Sequence, residues 1–234
     1  MIENDTLMQM VPGKGATLNT WLEYLLAIHP TEIDMGLTRV STVAARMGLT
    51  ELGLAKVVTV AGTNGKGTTC AMIEAAMLMS GQTVGVYSSP HLLHYNERVR
   101  INGVDVTDPE LVAAFEAIEL ARAEISLTFF EYATLAGLYL FKAAELDVVL
   151  LEVGLGGRLD ATNLIDADIA VVTSIDLDHQ EYLGDTRELV GAEKAGIFRA
   201  GRPAIVGEPD CPESLLAVAK KVGARLYRED ADFS

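Results

Sequence analysis

Between residues 56 and 80 a strand, a glycine-rich turn and a helix follow one another without a gap, and this succession limits the folds open to the chain. Lys56-Val57-Val58-Thr59-Val60 is short, β-branched and stopped by glycine, the pattern of a strand buried on both faces. Gly62-Thr63-Asn64-Gly65-Lys66-Gly67 follows, and the spacing predicts a helix over 68–80. Glycines at such a turn let backbone N–H groups converge on phosphate oxygens. The helix N-terminus adds positive potential and Lys66 a full charge. Thr68 or Thr69 is then placed to reach a Mg²⁺ ion. The common GxxxxGK[ST] pattern is not met, because Val60 stands at its first glycine and Gly67 follows the lysine. A plain glycine turn is the alternative; the strand before, the helix after and the lysine in register favour nucleotide phosphate.

The same alternation runs through the rest of the chain. Helices are predicted over 18–29, 37–47, 109–124, 131–146, 186–199 and 213–222, and further strands over 83–87, 147–153, 168–173, 203–206 and 225–227. Short apolar strands separated by helices mean an α/β fold with a mostly parallel sheet covered by helices on both faces. No internal repeat, low-complexity tract or linker interrupts it. Residues 1–17 read as a polar N-terminal tail and 18–234 as one α/β domain.

Composition narrows the function. Of 234 residues half are hydrophobic, so a large core is available. Eighteen Lys and Arg against 33 Asp and Glu leave a formal charge of −15, which argues against a nucleic-acid partner. A chain this acidic must handle phosphates locally, with a backbone nest, a lysine or a metal ion. Cys70 and Cys211 form no CxxC pattern, so neither a disulfide framework nor a zinc site is implied. The start, Met1-Ile2-Glu3-Asn4-Asp5, is acidic and lacks the pattern of a secretory signal. The most apolar stretch, 134–151, is broken by Lys142, Glu145 and Asp147, so no membrane span is expected. A soluble protein of a reducing cytoplasm is the expectation.

Other candidate site residues gather at predicted strand ends, where open α/β sheets place their ligands. Glu152 closes one strand and is followed by Gly154-Leu155-Gly156-Gly157-Arg158-Leu159-Asp160; Asp176, Asp178 and His179 follow the next. A lone histidine is usually structural, but one beside two acids at a strand end favours a Mg²⁺ or catalytic role. Ser88-Ser89-Pro90-His91 reaches the same edge, though hydroxyls in an X-Pro turn are ordinarily structural. Glu193-Lys194 falls in an apolar helix, and spacing alone does not single it out. His29 and His94 read as surface or structural residues, and Cys70 as a small residue packed in its helix.

Several segments occur in order: 62–68, Ser88-Ser89-Pro90-His91-Leu92, Glu97-Arg98-Val99, Thr128-Phe129-Phe130-Glu131, 152–163, Asp178-His179 and Glu193-Lys194-Ala195-Gly196-Ile197. From about Leu18 to its end the chain resembles the bacterial dihydrofolate synthase/folylpolyglutamate synthase family of the Mur ligase superfamily. The resemblance implies the P-loop-containing central domain of that superfamily and an ATP-dependent ligase. Such an enzyme phosphorylates a carboxylate of dihydropteroate, or of a folate glutamate tail, and joins the acyl phosphate to L-glutamate. Two anions must meet, so the work is positioning and charge neutralisation.

By the same resemblance Thr63, Asn64, Gly65, Lys66 and Gly67 hold the ATP phosphates, and Thr68 lies near the first Mg²⁺. Ser89 and Glu152 match ligands of that ion, and His179 a ligand of a second. Lys194 matches a lysine that CO₂ carbamylates. Lys66, His179 and Lys194 are thus the expected catalytic residues. Asp34-Met35-Gly36, Thr128-Phe129-Phe130-Glu131 and Leu159-Asp160-Ala161 match the pterin site; Phe129 and Phe130 could stack on the ring, with two core aromatics as the alternative. The family carries a second, C-terminal glutamate-ligase domain and further strands. This chain is therefore expected to be an incomplete, nearly inactive fragment, monomeric and cytoplasmic. A muramyl ligase acting on a UDP-sugar peptide is the alternative within the superfamily, against which Gly67 and the 128–131 segment both speak. A non-catalytic nucleotide-binding module would need none of Glu152, His179 and Lys194. A P-loop kinase or GTPase fits the loop less well.

Overall fold

A computed structural model describes residues 10–31 and 33–233. The first nine residues of the predicted tail, with the acidic start, lie outside the described residues. Eight helices, α1 (Leu18–Ala27), α2 (Thr38–Arg46), α3 (Lys66–Met79), α4 (Asp108–Arg122), α5 (Phe129–Ala144), α6 (Gln180–Leu183), α7 (Arg187–Lys194) and α8 (Glu213–Val222), are seen among the described residues. The strands are β1 (Lys56–Ala61), β2 (Val84–Tyr87), β3 (Val99–Ile101), β4 (Val104–Asp105), β5 (Val148–Glu152), β6 (Ile169–Val172), β7 (Pro203–Val206) and β8 (Arg225–Arg228). They form one sheet in the order β4-β3-β2-β5-β1-β6-β7-β8. Strand β1 lies at its centre, parallel to β5 on one side and β6 on the other.

The predicted strands and helices are all present, with ends shifted by a few residues. Two differences have physical causes. The predicted helix over 186–199 stops at Lys194 and tightens into a 3₁₀ turn, Ala195–Ile197. There the backbone meets the 154–160 loop so closely that a Cβ on Gly196 would lie 2.3 Å from the Cβ of Arg158. The sheet also gains an antiparallel hairpin, β3–β4, absent from the sequence-based expectation. Its turn is Asn102-Gly103, both at positive φ (53° and 78°), the backbone that an Asn-Gly pair favours.

Strands β1, β2 and β5 are buried on both faces. Helix α3 covers one, packing on Val58, Val60, Val86 and Leu150 through Cys70. Helices α1, α2, α4 and α5 cover the other, around Trp21, Phe115, Tyr132 and Phe141. Strands β6 and β7 alternate half-buried and buried residues. Their buried face meets Val190 of α7 and Leu215 and Ala219 of α8. The covering on two sides expected from the sequence holds at the centre of the sheet and reaches β6, whose half-buried Ile169 and Val171 pack against the α3 side. Helix α5 starts with a reciprocal cap: Thr128 N–H donates to Glu131 Oε2 (2.7 Å), and Glu131 N–H to Thr128 Oγ1 (3.1 Å). The cap fixes where Phe129 and Phe130 leave the turn, at the carboxyl edge of the sheet.

Candidate active site at the carboxyl edge of the sheet

The turn after β1 is held from behind by the segment after β6. Thr63 N–H donates to Ser174 C=O (2.8 Å), Asn64 N–H to Ser174 Oγ (3.0 Å), and Thr173 Oγ1 to Asn64 C=O (2.6 Å). The Thr63 hydroxyl donates to Asp176 C=O and accepts from Asp176 N–H, both at 3.0 Å. Thr63 and Asn64 therefore shape the loop, their amide donors already engaged. The amides of Gly65, Lys66, Gly67 and Thr68 precede the first helical bond of α3, Thr69 N–H to Gly65 C=O, and have no partner among the described residues. Gly65 caps the helix with φ +83°, so the turn needs a residue without a side chain. Four free amides at the N-terminus of a 14-residue helix make a cradle suited to phosphate. Lys66 Nζ folds over it, donating to Gly62 C=O at 2.8 Å.

Behind this cradle stands Glu152, the last residue of β5 and buried. Burial pushes its carboxyl pKa up, while Lys66, an amide hydrogen bond and Arg100 oppose the shift. That hydrogen bond comes from Ser89 N–H (3.3 Å), which places Ser89 beside Glu152 as the sequence suggested. Among the described residues no three His, Cys, Asp or Glu side chains come close enough to hold a metal unaided. One carboxylate and a hydroxyl beside a phosphate cradle still suit Mg²⁺, which takes few protein ligands and completes its shell with phosphate and water. His179, half-exposed and at φ +43°, leads into α6 with Nε2 3.5 Å from Asp178 Oδ1. Lys194 ends α7, is 2% exposed and makes no ion pair among the described residues. Burial, and then the charge of Lys66, lower its pKa to about 8 against the pull of Asp178.

A cavity of about 400 Å³ opens beside the cradle. The three segments matched to a pterin site meet on its walls: Asp34 to Gly36, Thr128 to Glu131 and Leu159 to Ala161. Lys66, Ser89, Asp178 and His179 line it too, whereas Glu152 and Lys194 stand behind the walls. Phe130 packs edge-on against Tyr87 at 6.0 Å. Asp160 is buried and fully hydrogen-bonded. Oδ2 accepts from Gly154 and Leu155 N–H at 3.0 and 2.9 Å, and Oδ1 from the Thr162 amide and hydroxyl at 3.0 and 2.6 Å. Burial raises its pKa against those four bonds, so its carboxylate holds the glycine-rich loop in shape.

Two arginines were missed. Arg39 bridges Asp34 (2.8 Å) and Glu131 (3.2 Å), tying two wall segments together. His29 joins them, with Nε2 3.3 Å from Asp34 Oδ2 and Nδ1 2.5 Å from Ser126 Oγ, and its ring is largely buried between the two. Arg98 is buried and faces the cavity. The Glu97-Arg98-Val99 segment marked it, but nothing in the sequence announces the burial of an arginine.

The family model for the Mur ligase middle domain matches residues 60–228. The chain belongs to the Mur ligase family. It is 54% identical, over 97% of its length, to the dihydrofolate synthase/folylpolyglutamate synthase of Escherichia coli, and covers 54% of that protein. With the Haemophilus influenzae protein of the same name it is 53% identical over 92% of its length, covering 49% of the relative. The chain thus spans about half the length of the curated relatives it matches. Among solved structures, Escherichia coli FolC in complex with DHPP and ADP superposes with a TM-score of 0.92 at 57% identity, over 94% of this chain and 53% of that one. The bifunctional enzyme with Mn, AMPPNP and L-glutamate bound gives 0.89 at 56%, over 95% and 54%. The α/β Mur ligase fold and the folate branch expected from the motifs agree with these likenesses.

Proposed function

We propose that this chain carries the nucleotide- and pterin-binding part of an ATP-dependent ligase that joins L-glutamate to dihydropteroate and to the glutamate tails of folates. The observation that carries the reading is the meeting of three separate wall segments on one cavity that also receives Lys66 from the phosphate cradle. The named relatives and the ligands of the similar structures support it. Residues 18–234 are the central ATP-binding domain in this reading, in a cytoplasmic, monomeric enzyme whose glutamate-ligase domain lies in the part of the relatives that this chain does not span.

The residues divide the work. Amides 65–68 and Lys66 hold the terminal phosphates and face a substrate carboxylate across the cavity mouth. Mg²⁺ would be held by Ser89 and Glu152, with a second ion at His179 and Lys194, and would supply the positive charge that lets two anions meet. Carbamylation needs Lys194 as a neutral amine, which its burial favours. A carboxylate oxygen takes the γ-phosphoryl group of ATP and ADP leaves; the glutamate amine then attacks the acyl carbon, gives up a proton and expels inorganic phosphate, and an amide remains.

Calorimetric titration with dihydropteroate tests the reading, with a UDP-muramyl peptide as comparison ligand. Saturable dihydropteroate binding, weakened on Phe130→Ala, is expected, together with negligible turnover by the 234-residue chain alone. Binding of the UDP-sugar instead, or of neither ligand, overturns it.

A further inference from the structure

The charged groups on the cavity wall are mostly spoken for. Asp34 and Glu131 are paired through Arg39, Asp160 is consumed by its loop, and Asp178 stands beside His179. Among the described residues, two cations without an acidic partner within 4 Å are left on the wall: Lys66, which belongs to the phosphate cradle, and Arg98. Arg98 is 8% exposed. A guanidinium taken this far out of water is costly unless an anion or a polar group answers it. Its one hydrogen bond among the described residues runs from Nε to His91 Nδ1 at 2.9 Å. An imidazole that accepts at Nδ1 carries no proton there and is neutral, so it supplies no countercharge.

The guanidinium is nevertheless held firmly. It lies 5.5 Å from the ring centroids of both Tyr95 and Phe129, which pack edge-to-face against each other at 5.6 Å. Aromatic faces stabilise the cation and fix its plane without using its donors. With Nε engaged by His91 and the buried Tyr87 hydroxyl beside the guanidinium as a neutral neighbour, the terminal nitrogens have no anion to answer them and remain the cation's donors for a ligand. Ser88 N–H donates to Arg98 C=O at 2.9 Å, so the arginine sits across the ladder from the residue before Ser89. Arg98 therefore stands between the aromatic end of the cavity at Phe129 and the phosphate-transfer end at Ser89 and Lys66.

We propose that Arg98 is the carboxylate-recognising residue of this cavity: its two terminal nitrogens take the carboxylate of the pterin-bearing substrate and present it to the phosphate cradle. A planar fork matches a carboxylate with two parallel hydrogen bonds, whereas an ammonium does not. This assignment rests on the pterin reading of the cavity and adds a residue that chooses acid over neutral ligands.

The test compares dihydropteroate with its carboxamide, binding each calorimetrically to the wild-type chain and to Arg98→Met and Arg98→Lys, with ADP as a third ligand. Wild type is expected to prefer the acid by about 10- to 100-fold. Arg98→Met should abolish that preference while leaving carboxamide and ADP affinity unchanged, and Arg98→Lys should restore only part of it. An arginine that merely braced its loop would weaken acid and amide alike. Equal binding of acid and amide by wild type overturns the assignment alone, even if no variant folds. A variant that loses ADP as much as dihydropteroate makes Arg98 a phosphate ligand and overturns it too. A folded wild type that ignores dihydropteroate removes both this inference and the pterin reading.

Discussion

Lys194 is buried at the end of α7 without an ion pair among the described residues, and the positive field of Lys66 outweighs the pull of Asp178. The native state therefore disfavours its protonated form, with a pKa of about 8 against the ordinary 10.5 of a lysine. The unfolded chain holds the proton more tightly, so between these values stability rises with pH. The contribution is present above the unfolded value and lost as pH falls through about 8. In CO₂-free buffer Lys194→Met should accordingly be more stable than wild type at pH 7, by about 2–3 kcal/mol, with the advantage shrinking towards pH 10. Urea unfolding at the two pH values measures it. A methionine variant no more stable than wild type at pH 7 would mean that an anion already neutralises the lysine. Asp160 shows the opposite economy: its burial is answered by four hydrogen bonds, so losing it disturbs the whole 154–160 loop.

At the scale of elements, the phosphate turn is a contact between two strand ends. Gly62 has φ +153°, and a Cβ there would lie 1.9 Å from Thr173 Oγ1, whose hydroxyl helps hold the loop. Gly62→Ala is expected to cost about 1–3 kcal/mol of stability and to displace the cradle. Thermal unfolding with and without ADP measures both effects; a variant that ADP stabilises as much as wild type would show that the 173–176 contact does not set the cradle. The turn itself was legible because β1 is β-branched, glycines stop it and Lys66 follows. Its dependence on Thr173 and Ser174 was not, since two hydroxyls after a strand look like any other loop start. The β3–β4 hairpin had a signal in Asn102-Gly103, but its strands are three and two residues long, too short for alternation to show. The wall segments were legible as motifs. Arg39 and Arg98 escaped because their roles come from burial and partners more than 30 residues away, or from aromatic neighbours, and a sequence gives a charged side chain no such coordinates.

The whole molecule sets an excess of 15 negative charges around a cavity wall on which, among the described residues, Lys66 and Arg98 have no acidic partner within 4 Å. Most arginines are consumed in local pairs, such as Arg187 with Glu208 and Asp210, and Arg158 with Glu193. The surplus acids are left to repel one another across the surface, a self-repulsion that favours expansion and is screened by salt. The exposed pairs that salt also weakens are each worth little. Repulsion should therefore dominate, and the thermal midpoint at pH 8 should rise by a few degrees between about 20 and 200 mM monovalent salt. Chloride could also occupy the phosphate cradle, so the titration is repeated with Lys66→Ala, which removes the charge there. A rise that survives in the variant belongs to the net charge, one that vanishes belongs to the cradle, and a fall in both proteins would show that the ion pairs outweigh the repulsion. The same field repels an anionic substrate at long range, so the selection of a carboxylate has to be made inside the cavity, at the short distances where Lys66 and Arg98 act without an acidic partner.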